Sequence, residues 1–206
     1  MRVFIWRLFF FVIGTIILAL GVTLTIRGQH IGVGSWDVLH IGLYETIGLS
    51  IGSWSIILGI SILIGIALLT RKLPKWGTWV DMFLTGIFID IFNYMLPQAT
   101  TTWMQYVAFL LGLVGIGFGA GMYITANLGV GPRDALMMFV VEQTTLSVQV
   151  ARTIMEVGVA IIGVLLGGPL GIGTIIMAFA LGPIVQQALR FNEYLFFYIT
   201  KEKALP

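Results

Sequence analysis

The feature that most constrains this chain is a set of six apolar runs, each long enough to cross a lipid bilayer. A crossing takes about 20 residues of helix over ~30 Å of hydrocarbon. Residues 8–26, 51–70, 77–96, 103–126, 148–167 and 172–191 qualify. Only 10% of the chain is charged, against about 25% in a soluble domain, so a freely soluble monomer is excluded. The sequence predicts an all-α polytopic membrane protein with six transmembrane helices, in which residues 1–206 form a single transmembrane domain. A formal net charge of +2 leaves no electrostatic footprint for nucleic acid, so the lipid bilayer is the expected partner. With 0 cysteines and 2 histidines there is no thiolate nucleophile and no His-based metal cluster, so no metal and no cofactor are expected.

The basic residues predict an orientation. Arg2 and Arg7 precede the first run, which is too long for a signal h-region and is read as an uncleaved anchor. With the N-terminus in the cytoplasm, Arg71, Lys72, Lys75, Arg133, Arg190, Lys201 and Lys203 all fall inside. The loops at 97–102 and 168–171 fall outside and carry no charge, and only Arg27 lies near the outer face. This is a positive-inside pattern, and it places both termini in the cytoplasm, with residues 192–206 as a short tail. Counting residues 35–48 as a further crossing would move the Arg71–Lys75 cluster outside. That segment is also only ~21 Å long as a helix.

The chain repeats itself. Gly32-Val-Gly-Ser-Trp-Asp37 returns as Gly129-Val-Gly-Pro-Arg-Asp134, 97 positions later. Leu39, Glu45 and Ser50 match Leu136, Glu142 and Ser147 at the same offset. Gly77-Thr78 matches Gly173-Thr174, and Gly86 matches Gly182, 96 apart. The repeats cover roughly residues 8–96 and 103–191. Three crossings per repeat is an odd number, so the second copy enters the membrane upside down, the inverted-repeat design of many secondary transporters. Each Gly-x-Gly-x-x-Asp segment then forms a short re-entrant or interfacial helix. Non-helical backbone at membrane depth is tolerated only where protein or water covers it.

The glycine turns Gly32, Gly34, Gly129 and Gly131 suit a tight turn entering a helix, with Ser35 as N-cap and Pro132 at the first helical position. Asp37 and Asp134 then lie in first helical turns, where free amides favour an anion. The alternatives are plain helix capping or an ion or solute site approached from both sides. Glu45 and Glu142 are expected to lie on a wetted face at the membrane boundary. Ionisable groups inside spans are costly and are functional candidates. These are Asp90, roughly 20 Å into its span, and Arg152 with Glu156, whose i,i+4 spacing allows a bridge on one helix. Gln186 aligns with Asp90 in the repeat. Asp90 is expected to be protonated, hydrogen-bonded, wetted, or paired across helices with Arg152 or Arg133. Asp81 is expected at the inner boundary, and His30 and His40 at exposed loop or interface positions. Gly115, Gly117, Gly119 and Gly121, and separately Gly163 and Gly167, give small-residue stripes that serve close helix packing or a homodimer face.

The two glycine-aspartate motifs, with Gly171-Ile-Gly-Thr-Ile-Ile-Met-Ala-Phe179 and Leu181-Gly-Pro-Ile-Val185, resemble the YitT/YczE family of bacterial integral membrane proteins, closer to the YczE branch. The resemblance runs over roughly residues 8–190 and implies a bacterial plasma-membrane location. It implies little about activity. The expected function is a small secondary transporter or permease for an unidentified solute or ion. The path would run past Asp37, Asp134, Asp90, Arg152, Glu156 and Gln186. The rival is a non-transporting membrane scaffold or accessory partner. An enzyme is not expected, because no nucleophile–base arrangement is recognisable.

Overall fold

The computed structural model describes residues 2–202, and every side chain among them except those of residues 148 and 149. Lys203 lies outside the described residues. Eight helices follow one another: α1 (Arg2–Arg27), α2 (Ser35–Ile47), α3 (Ile51–Thr70), α4 (Trp76–Met95), α5 (Thr102–Thr125), α6 (Pro132–Gln143), α7 (Val148–Leu165) and α8 (Ile172–Thr200). No strand occurs among the described residues. Four helices, α1, α3, α5 and α8, are long and apolar enough to cross a membrane. The remaining two longer helices each hold a charged pair, Asp81 and Asp90 in α4, Arg152 and Glu156 in α7.

Helix starts follow local chemistry. Ser50, Thr101 and Ser147 cap α3, α5 and α7 by accepting the backbone N–H of Ser53, Met104 and Val150. For α2 the cap is Gly34 and not Ser35, which is the first helical residue. No side chain caps α2; its Asp37 and Val38 amides donate to the Gly34 carbonyl. Pro132 takes the first position of α6 after Gly131.

The helix α8 runs well past residue 191, to Thr200. Most of the expected tail is therefore a docked helix end. Phe196 is fully buried, edge-on to Phe10 at 5.4 Å, with the Arg7 guanidinium over its ring at 5.4 Å. Arg27, at the C-terminal end of α1, is buried, and its guanidinium donates to the carbonyls of Asn93 and Leu96 at the end of α4. Cations suit the carbonyl end of a helix.

At the centre, α1 crosses α5 with almost no side chain between the backbones. A Cβ on Gly14 would lie 2.5 Å from the Tyr123 nitrogen, one on Gly21 2.5 Å from that of Ile116, and one on Gly28 2.7 Å from the Gln105 carbonyl oxygen. Contacts advance along α1 as they retreat along α5, so the two helices are antiparallel. Gly117 and Gly121 on the other side of α5 press against Ile184, Ala188 and Leu189 of α8. The glycine stripe of α5 thus serves packing within the chain on two faces.

The short helices cross-pack. α2 lies on α7, where a Cβ on Gly163 would meet the Leu39 nitrogen at 2.5 Å, and α6 lies on α3. The turns before them exchange in the same way. The Gly32 turn abuts Gly173 and Thr174 at the start of α8, and the Gly129 turn abuts Gly77 and Thr78 at the start of α4. Gly32 also has φ +138°, open to glycine and few other residues.

One pairing breaks the pattern. Helix α3 packs along α4, whereas α7 and α8 make no comparable contact among the described residues. At Gly86 in α4 an added Cβ would collide with Ile56 of α3. At Gly182, its counterpart in α8, an added Cβ would meet nothing within 4 Å.

Candidate functional site

A cavity of about 200 Å³ lies at the middle of the bundle, and all eight helices contribute to its wall. Long helices line it at mid-length, through residues such as Leu18, Gly59, Ile116 and Leu181. The starts of α2 and α6 open into it, bringing Gly34 and Gly131 to the same space. Its charged lining comprises four carboxylates (Asp37, Asp81, Asp134 and Glu156) and two guanidiniums (Arg133 and Arg152).

The two motifs meet across this space. Trp36 and Arg133 hold the same position in the two copies, and the Arg133 Cζ lies 5.3 Å from the Trp36 ring centroid. Arg133 Nη2 also donates to Asp37 Oδ1 at 3.5 Å. Asp37 is 2% exposed, while the Arg133 side chain is 38% exposed. His40, one turn on from Asp37, is 1% exposed. Its Nδ1 faces the same Asp37 oxygen at 3.4 Å but makes no aligned hydrogen bond. Burial alone raises the Asp37 carboxyl; His40 and the Arg133 charge outweigh it and hold the carboxyl below its ordinary value. Burial pushes the His40 imidazole down, against the pull of Asp37.

The second motif is held by different partners. Tyr123 of α5 donates to Asp134 Oδ2 at 3.1 Å. Nearby, Asp81 accepts from Thr15 Oγ1 at 2.9 Å, and its Oδ2 would lie 3.3 Å from a Cβ on Gly131. Asp81 is 5% exposed within the chain, so it faces the interior and not the boundary expected of it. His40 likewise departs from its expected exposed position, because it lies on the inner face of α2, i,i+3 from Asp37. His30 is exposed, as are Glu45 and Glu142.

Of the sequence candidates, Asp37, Asp134, Arg152, Glu156, Gly34 and Gly131 line the cavity. Arg152 and Glu156 share it without bridging each other. Gly32 and Gly129 stand behind it, in the turns that seat α2 and α6. Asp90 and Gln186 are not part of the wall. Asp90 accepts from Ser50 Oγ and from the Gly52 nitrogen at 2.9 Å, so it closes the α3–α4 seam. Neither Arg133 nor Arg152 is its partner.

The pairing of Trp36 with Arg133 had a sequence signal, since they are a mismatch inside a repeated motif. His40 also had one, its spacing from Asp37. Asp81 had the signal of a carboxylate inside an apolar span, set aside because it lies near the span's start, and Tyr123 had none, because only the tertiary packing carries α5 to the start of α6.

An all-helical bundle, half of whose helices are apolar enough to cross a bilayer, around a charged internal cavity, is a helical membrane protein. Residues 5–190 match the family of unknown function DUF6198, and the chain belongs to that family. It is 44% identical over 180 residues to the uncharacterized membrane protein YczE of Bacillus subtilis (strain 168), covering 87% of this chain and 84% of that one. It is 32% identical over 167 residues to the uncharacterized protein YyaS of the same strain, covering 80% and 83%. It is also 32% identical over 157 residues to an uncharacterized protein of Haemophilus influenzae, covering 75% and 72%. No solved structure matches the chain with significance.

Proposed function

We propose that the chain is a secondary transporter or permease of the bacterial plasma membrane for a small solute or ion. This reading takes α4 and α7 as crossings beside the four apolar helices, which gives six. Residues 8–96 and 103–191 are then inverted repeats, with α2 and α6 as half-helices and both termini in the cytoplasm. The antiparallel α1–α5 crossing supports it, as does the exchange of turns between halves. The observation that carries it is the cavity: about 200 Å³ of space at mid-length, where both Gly-x-Gly-x-x-Asp helices begin. A scaffold has no use for charged groups around internal space, because burying them is costly.

The two seams supply the asymmetry a carrier needs. The α3–α4 seam is closed by Asp90, and the corresponding α7–α8 seam is open. Alternating access would exchange them. Because the chain has 0 cysteines, an introduced one is a unique reporter. In Met155→Cys the thiol faces the cavity. A membrane-impermeant maleimide is expected to label it from one side of the membrane only. Free labelling from both sides would mean a channel, and no labelling from either would mean a filled interior; each contradicts the carrier.

A further inference from the structure

Arg133 occupies a place built for a cation. Trp36 and Asp37 form a buried aromatic face and carboxylate, 6% and 2% exposed, yet the guanidinium lying on them is far more exposed than either. An indole face with an adjacent carboxylate is a general receptor for cations, and for quaternary ammonium groups in particular. His40 adds a buried ring nitrogen without an aligned partner, 3.4 Å from the same carboxylate oxygen. The lining as a whole holds four carboxyl side chains against two arginines.

The repeat accentuates the point. Where the first copy has the aromatic Trp36, the second has the cationic Arg133, so the two chemistries of one receptor are split between the halves. An N-capping role does not call for this division, since Gly34 and Gly131 cap their helices, and the Arg133 side chain stays 38% exposed while the Trp36 and Asp37 it lies on are buried.

We infer that the Trp36–Asp37 cage is the binding site for a small organic cation, and that Arg133 fills it as a tethered counter-ion which the solute displaces. The inference rests on the transporter reading and names its substrate class. A tethered competitor lowers apparent affinity in proportion to its occupancy. Removing the tethered charge therefore exposes the cage.

The test uses radiolabelled tetramethylammonium and the purified full-length chain. Arg133→Gln is expected to bind it at least tenfold more tightly than the parent, and Trp36→Leu in the same background is expected to abolish that gain. Binding no tighter in Arg133→Gln overturns the proposal. So does acetate binding by the parent that Arg133→Gln removes, because Arg133 would then be an anion site.

Ser55→Cys keeps every charge and serves if the arginine variant does not fold. Its thiol lies in the cavity wall. A cationic methanethiosulfonate is expected to modify it at least tenfold faster than an anionic one, and equal or reversed rates overturn the proposal. The Met155→Cys labelling separates the two levels. One-sided labelling without cation preference leaves a carrier of another substrate class, whereas no labelling removes the cavity reading itself.

Discussion

Gly21→Leu is expected to abolish the folded protein. The new side chain would start 2.5 Å from the Ile116 nitrogen and 2.8 Å from the Gly112 carbonyl oxygen, both helix backbone atoms that cannot rotate aside as a side chain can. Helices in lipid associate by close backbone approach, since the tails are as apolar as the side chains and supply no hydrophobic drive. Forcing α1 from α5 separates the two longest-paired elements of the bundle. A loss of more than about 4 kcal/mol is of the exceptional size reserved for such clashes. The measurement is the yield of monodisperse protein in mild detergent, compared with Gly65→Leu. A Cβ at Gly65 meets nothing within 4 Å, so that variant should behave as the parent.

The second large effect separates two residues that the sequence makes equivalent. Gly86→Leu should wedge α4 from α3, because the added atoms run into Ile56 and, at 2.8 Å, the Gly52 carbonyl oxygen. Overpacking of this kind costs about 1–3 kcal/mol, and it also pulls Asp90 from Ser50 and Gly52. Gly182→Leu projects into open space and should stay within about 0.5 kcal/mol of the parent. Thermal unfolding midpoints in detergent read the difference. Equal losses in both would mean that the two seams are equally closed, contrary to the asymmetry assigned here. If α7 closes onto α8 during turnover, the folded Gly182→Leu protein should also be arrested in one state. Its Met155→Cys form would then label from the same side whether or not the solute is present.

Much of the fold was legible because lipid imposes length. Helix α3 covers residues 51–70, as its apolar run predicts, and α4, α5 and α7 begin and end within two residues of theirs. The extension of α8 was not legible. Residues 192–200 mix Asn192 and Glu193 with aromatics, and only the docking of Phe196 on Phe10 makes them a packed helix end. The site was half legible for a related reason. Glycine turns followed by an aspartate declare a helix start from local chemistry alone, so Asp37 and Asp134 could be found. The partner of a buried charge is set by which helices touch. Asp90, deep in its span, looked like part of the path, yet the start of α3 gives it the N-cap Ser50 hydroxyl and the Gly52 amide. Asp81, near the start of its span, looked peripheral, yet α1 supplies Thr15 and α5 brings Tyr123 to its neighbour Asp134.

Two like halves that enter the bilayer from opposite faces and meet at one cavity, as proposed, must present matching exposed positions to opposite compartments. Glu45 and Glu142 are exposed, aligned in the repeat and free of competing thiols. Single cysteines at these two positions should react with an impermeant maleimide from opposite sides: one in intact cells, the other only in inverted vesicles. Labelling of both from the same side would mean that the two halves are not inverted.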